Sequence, residues 1–146
     1  MDKEKIKQHY ENVLKDSEHF GSLSPVNDME LLYPEFLDRL IICFTEYTEQ
    51  KPGEEVYIVE TYRSNALQEK YYEEGKSRIR RNGMHHFGLA ADAAFYINGK
   101  FSYDGDYNLL RKIFRRNGLT VLNWEKGHVQ FVKVSEQPEI RNYVLG

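Results

Sequence analysis

The sequence predicts an α+β fold: a mostly antiparallel sheet with helices packed on one side of it. Three observations carry that prediction. Helical patterning comes first, and strands follow mixed with hairpins and further helices rather than in regular alternation. Asn98-Gly99, the strongest two-residue hairpin signal, joins two strand-like runs in the middle of the chain. With 146 residues, 40% of them hydrophobic, the chain supplies one real core, and two full domains are not expected. The expected organisation is a single domain over residues 1–146, with residues 1–26 as an N-terminal helix and loop extension.

Residues Ile6 to Leu14 give a weakly amphipathic helix, and the Ser-, Gly-, Pro- and Asn-rich stretch Ser17 to Asp28 reads as a connecting loop. A stronger helix opens at Pro34, because proline suits the first helical position, and runs to about Gln50. Its apolar side is Phe36, Leu37, Leu40, Ile41, Phe44 and Tyr47, and Lys51-Pro52-Gly53 stops it. β-Branched and aromatic residues make Val56 to Tyr62 a strand. Asn65 to Glu74 is helical and ends at Gly75. Small and apolar residues make Gly88 to Ile97 a strand, and Lys100 to Tyr103 pairs back onto it. Asp106 to Asn117 is a helix with Leu109, Leu110, Ile113 and Phe114 inward and Gly118 at its C-terminal cap. Short strands are expected at Leu119 to Leu122 and His128 to Val134.

The formal charge of -3, with both signs well mixed, gives no field directed at nucleic acid or an anionic membrane. One local exception is the run Lys76, Arg78, Arg80 and Arg81, which reads as a solvated loop. Cys43 is the only cysteine, so an intrachain disulfide is excluded; among Ile41, Ile42 and Phe44 it reads as core filler. The charged start Met1-Asp2-Lys3-Glu4-Lys5 lacks the apolar region of a secretory signal, and no stretch is long enough to span a membrane. The expectation is a soluble monomer made in the cytoplasm, with release by a route that needs no signal left open.

Polar residues that interrupt apolar strands mark the chemistry. Asp92 lies among Ala and Phe, where an unpaired carboxylate is costly, so it needs a cation. In Trp124-Glu125-Lys126-Gly127-His128, the histidine opens a strand and Glu125 precedes it by three in a turn. Tyr62-Arg63-Ser64 closes the first strand. His85, Asp92 and His128 form the two-imidazole, one-carboxylate set of a catalytic zinc site that keeps a position for water. Glu125 fits the proton transfers, and Arg63 suits a substrate carboxylate or an oxyanion. On spacing alone a plainer reading stands beside this one: His85 and His86 in an exposed loop, Asp92 capping a turn, His128 a satisfied strand histidine. His9 and His19 read as surface residues, His86 as a loop or supporting group, and Tyr62 and Trp124 as either cleft or core.

The run His85-x-x-Gly88-x-Ala90-x-Asp92, followed by Glu125-x-x-His128 and preceded by Tyr62-Arg63-Ser64-x-x-x-Gln68, resembles a peptidase group. That group comprises D-Ala-D-Ala carboxypeptidases and L-alanyl-D-glutamate endopeptidases, including phage endolysins, and shares its zinc fold with the hedgehog signalling domain. Leu32-x-Pro34 before the long helix is similar to the endolysin lead-in, so the resemblance covers roughly Asn27 to Val132. It implies zinc held by His85, Asp92 and His128, and Glu125 as base toward water and then acid toward the leaving amine. It also implies Arg63 as a catalytic and substrate contact, with Ser64, Gln68 and Trp124 around the substrate, Ser64 and Gln68 also supporting the loop. The sequence departs from the pattern at Gly83, where the family has serine, and in the short Leu122-Asn123-Trp124 stretch before Glu125.

The resemblance therefore implies a zinc metallopeptidase acting on peptidoglycan peptides, preferably an L-Ala-D-Glu endopeptidase. Its rivals are a D-Ala-D-Ala carboxypeptidase and a zinc-containing domain of this fold that only binds. A nuclease using His85 and His86 beside the basic run is disfavoured by the negative charge.

Overall fold

Strand β2, Ala90–Ile97, is the hub of the sheet in the computed structural model, which describes residues 1–146. Strand β1, Glu54–Glu60, pairs along one edge of it. The other edge is shared: hairpin strand β3, Lys100–Ser102, takes residues 95–97, and β5, Glu125–Gln130, takes residues 90–92. Strand β4, Thr120–Leu122, lies outside β5. Every pairing is antiparallel, and the order is β1-β2-β5-β4 with β3 beside β2. The α+β architecture with an open antiparallel sheet is thus the one that the sequence predicts.

The two-residue period of β2 sends Ala91, Ala93 and Phe95 into the core, leaving Asp92 on the opposite face. Helices α2, Pro34–Gln50, and α4, Tyr107–Arg116, pack on each other, with α2 against β1 and α4 against β4 and β5. Between them, α2 buries Phe36, Leu40, Cys43 and Tyr47, and α4 buries Leu110, Ile113 and Phe114. Ile41, read as inward from the sequence, is 50% exposed; Cys43 replaces it because positions 36, 40, 43 and 47 keep the helical stripe. Burial pushes the Cys43 thiol up to about 12, which suits an inert core side chain.

Helix α1, Lys3–His9, is capped by the Asp2 carboxylate, which accepts from the Lys5 amide, and continues through a π-helical turn, Tyr10–Leu14. Helix α3, Asn65–Glu73, follows β1. Sequence patterning extends the last strand to Val134, but β5 ends at Gln130, and the chain turns through Val134–Glu136 into helix α5, Gln137–Leu145. Its buried Ile140 and Val144 sit one turn apart, and α1 covers it through a Lys3–Glu139 ion pair and a Tyr143 hydroxyl that donates to Glu4 at 2.6 Å. One contiguous buried cluster runs from Ile6 to Val144. No helix is long and apolar enough to cross a membrane.

His9 is not the surface residue its charged neighbours suggest: it is 7% exposed, and its Nε2 bonds the Leu31 carbonyl at 2.9 Å. Burial lowers its pKa, opposed by that hydrogen bond. The unfolded imidazole binds its proton near pH 6.5. Since the folded value is lower, this contribution to stability is complete above about pH 6.5 and is lost as pH falls through the folded value. His9→Gln is therefore expected to flatten the dependence of unfolding free energy on pH between about 7 and 5, read by denaturant titration. An unchanged slope removes His9 as a contributor.

Candidate metal centre

Asp92 occupies the middle of a row that crosses three strands. It pairs with Glu60 of β1 on one side and His128 of β5 on the other, and paired residues share a face of the sheet. A register shift between Ile58 and Glu60 sets the end of β1 against this row. His85 arrives from a single 3₁₀ turn, Met84–Phe87, closed by Gly88 in the left-handed region at φ 69°. A Cβ on Gly88 would lie 2.5 Å from the Leu31 carbonyl oxygen, so glycine is required there for both space and dihedral angle. Gly127, which immediately precedes His128, is likewise required for space, because a Cβ there would meet the Ala93 carbonyl at 2.5 Å.

One ligand atom from each of His85, Asp92 and His128 can be chosen so that all lie within 4.8 Å of one another. His85 Nε2 and His128 Nδ1 each stand 3.5 Å from Asp92 Oδ1. Two donors about 2.1 Å from a tetrahedral centre lie about 3.4 Å apart, so the spacing fits an ion of zinc's size. His128 Nδ1 is also buried without a hydrogen-bond partner, as expected of a donor aimed at a cation. Its Nε2 bonds Gln130 Oε1 at 2.9 Å, and the Gln130 amide nitrogen donates to Val132 O at 2.8 Å and Gln137 Oε1 at 2.9 Å. That chain fixes the amide, hence the tautomer with Nδ1 free. The residues present therefore fit a metal ion.

The electrostatics agree. Burial opposes ionisation of Asp92, but the His85 and His128 imidazoles prevail and hold its pKa well below the usual carboxylate range. Burial likewise opposes charge on His128, yet the Asp92 and Glu125 carboxylates raise it to about 9. The pocket thus favours a positive charge between these groups, whether a proton or a metal supplies it.

Glu125 begins β5 rather than sitting in a turn before the strand, because Asn123 and Trp124 alone connect β4 to β5. Its half-exposed carboxylate lies 3.3 Å from His128 Nδ1, and that neighbour lowers its pKa. Arg63 follows β1; its guanidinium donates to Glu60 Oε1 from two nitrogens, donates to Gln68 Oε1 at 3.2 Å, and stands 3.6 Å from Asp92 Oδ2. Glu60, 5% exposed, is a component sequence reasoning missed; the only signal is a carboxylate ending an apolar strand.

Ser64, expected among the residues around a substrate, is 1% exposed: its hydroxyl accepts from the Leu67 amide as the cap of α3 and donates to Ser22 O. That is the place of a supporting residue. Gln68 and Trp124 both line a cavity of about 690 Å³ that also contains Arg63, His85, Glu125 and His128. Trp124 is 64% exposed, whereas Tyr62, at 1%, belongs to the core. A second cavity, of about 400 Å³, reaches Asp92, Glu125 and His128 from the side of Val59, Tyr103 and Tyr107. His86 turns away from the cluster and is 3% exposed. It bonds the Tyr10 and Tyr62 hydroxyls at 3.0 and 3.1 Å, and burial lowers its pKa to about 4.

No protein-family model matches this sequence, and no curated protein does. Among solved structures the fold is similar to the L-Ala D-Glu endopeptidase ChiX of Serratia marcescens, with a TM-score of 0.57 and 21% sequence identity. The match covers 77% of this chain and 84% of that one. At that identity the likeness speaks for the shared α+β fold.

Proposed function

We propose that the chain is a zinc-dependent peptidase that hydrolyses peptidoglycan peptides between L-Ala and D-Glu. The observation that carries this reading is the convergence of His85 Nε2, Asp92 Oδ1 and His128 Nδ1 beside the Glu125 carboxylate, at the junction of two cavities. The ChiX likeness supplies a peptidase precedent for the fold. Cavities of about 690 and about 400 Å³ meet at Glu125 and His128, which leaves room for peptide on both sides of a scissile bond. That favours an endopeptidase over a carboxypeptidase, whose substrate ends at the bond it loses.

Zinc, when bound, polarises the scissile carbonyl and lowers the pKa of water to about 7. Glu125 takes the proton from the attacking water and passes it to the leaving amine, for which its partial exposure gives it freedom. Arg63, fixed by Glu60 and Gln68, holds a positive charge toward the oxyanion that develops on the carbonyl. Gln130 keeps the His128 ring in register, and Trp124 forms an exposed wall of the cleft.

The test is digestion of defined muropeptides with products identified by mass. The expected product pair ends in L-Ala and begins with D-Glu, activity is lost on chelation and returns with zinc. Release of free terminal D-Ala replaces the endopeptidase reading by the carboxypeptidase one. Stoichiometric zinc with no hydrolysis of any muropeptide leaves the binding-only reading.

A further inference from the structure

We infer that Arg78, backed by Lys76, is a seat for a substrate carboxylate beside the scissile bond, making the cleft selective for acidic peptides; this rests on the peptidase reading above. The chain carries a net charge of -3, yet the charged lining of the larger cavity is Arg63, Lys76 and Arg78 against Glu125 alone. Arg63 is already committed to Glu60, with Asp92 at 3.6 Å. Lys76 is loosely held, by an exposed pair with Glu74 at 3.4 Å and by its Nζ 5.9 Å from the Tyr71 ring. Arg78 makes no ion pair, in contrast to Arg81, which pairs with Glu69 at 3.3 Å.

The loop that presents Arg78 is built rather than free. Gln68 Nε2 donates to Ser77 Oγ at 2.7 Å and to the Ile79 carbonyl at 2.8 Å, and the Ile79 amide donates to Ser77 Oγ at 3.1 Å. The same Gln68 accepts from Arg63 through Oε1, so one side chain fixes both the Arg63 guanidinium and the backbone flanking Arg78. A glutamyl residue acylated on its amine has two carboxyl groups, and only one can be joined to the next residue. A carboxylate therefore stands near the bond to be cut whichever is used, and a guanidinium can grip it through two parallel hydrogen bonds.

The probes are L-Ala-γ-D-Glu-L-Lys and the same peptide with its free glutamyl carboxylate converted to a carboxamide. Binding to metal-loaded Glu125→Gln protein is measured by calorimetry, and hydrolysis by wild type is measured in parallel. The acid is expected to bind about 10- to 100-fold more tightly than the amide. Adding Arg78→Gln brings that ratio close to one, and Arg78→Lys keeps some of it. Arg80→Gln makes the same charge change two residues on, where the guanidinium lies 5.7 Å from the Tyr72 ring and outside the cavity lining, and retains the ratio. The inference is overturned by a ratio near one in the parent, by a ratio that survives Arg78→Gln, by equal loss in Arg80→Gln, or by no binding of either peptide. Charge-selective binding without wild-type hydrolysis keeps the seat and removes the peptidase reading; hydrolysis without selectivity does the reverse.

Discussion

Glu125→Gln is expected to keep its metal and to lower kcat on a susceptible muropeptide by about 10²- to 10⁴-fold, the range for losing a positioned proton-transfer group. Glu125 is not one of the three clustered donors, and its carboxylate lies outside them, 3.3 Å from His128 Nδ1 and open to both cavities. Glutamine keeps the length and one oxygen of the side chain but cannot accept a proton from water or return it to an amine. Substrate fit is thus largely preserved, and the loss falls on kcat rather than KM. Elemental analysis of the assayed samples separates this from a supporting role, in which metal content falls together with rate. Turnover equal to that of the parent would mean that Glu125 is misassigned.

The legible regions of the molecule are those whose signals are local. Asp92 announces itself because a carboxylate within Ala90-Ala91-Asp92-Ala93-Ala94 contradicts its neighbours, and the Asn98-Gly99 turn fixes the hairpin around it. Helix α4 follows from its apolar stripe and from Gly118 beyond its end; the structure adds that Asp106, read as its first residue, is its N-terminal cap and accepts from the Leu109 amide. What escapes is set by distant partners. His9 is buried by a carbonyl 22 residues away, a contact its lysine- and glutamate-rich helix gives no hint of. Helix α5 is only nine residues long, and its anchor on α1 joins Lys3 to Glu139 across nearly the whole chain. Glu60 and Gln130 escape for the same reason, since each acquires its role by holding a side chain that sequence motifs single out: Arg63 for the first, His128 for the second. The start of β5 is hidden by chemistry instead, because its tight connection uses Asn123-Trp124 where two-residue turns usually announce themselves with glycine.

His85→Ala carries the second large effect: metal near one equivalent per chain in the parent should fall to a small fraction, and hydrolysis with it. Removing this buried imidazole leaves Asp92 and His128, two donors where a catalytic site of this kind uses three. The affinity loss should exceed the roughly 10- to 100-fold that follows from disturbing a supporting hydrogen bond, a difference that competition with a chromogenic chelator resolves. Stability of the metal-free protein is the informative companion measurement. His85 Nδ1 has no hydrogen-bond partner, whereas the neighbouring His86 is bonded to Tyr10 and Tyr62 among packed aromatic rings. His86→Ala should therefore lower stability, by about 2–4 kcal/mol for a truncated buried side chain and its orphaned partners, while the folded fraction still binds metal. Two adjacent histidines then separate by readout, one through metal and the other through unfolding. Equal metal loss in both variants would mean that the turn Met84–Phe87, rather than the His85 imidazole, is what the ion depends on.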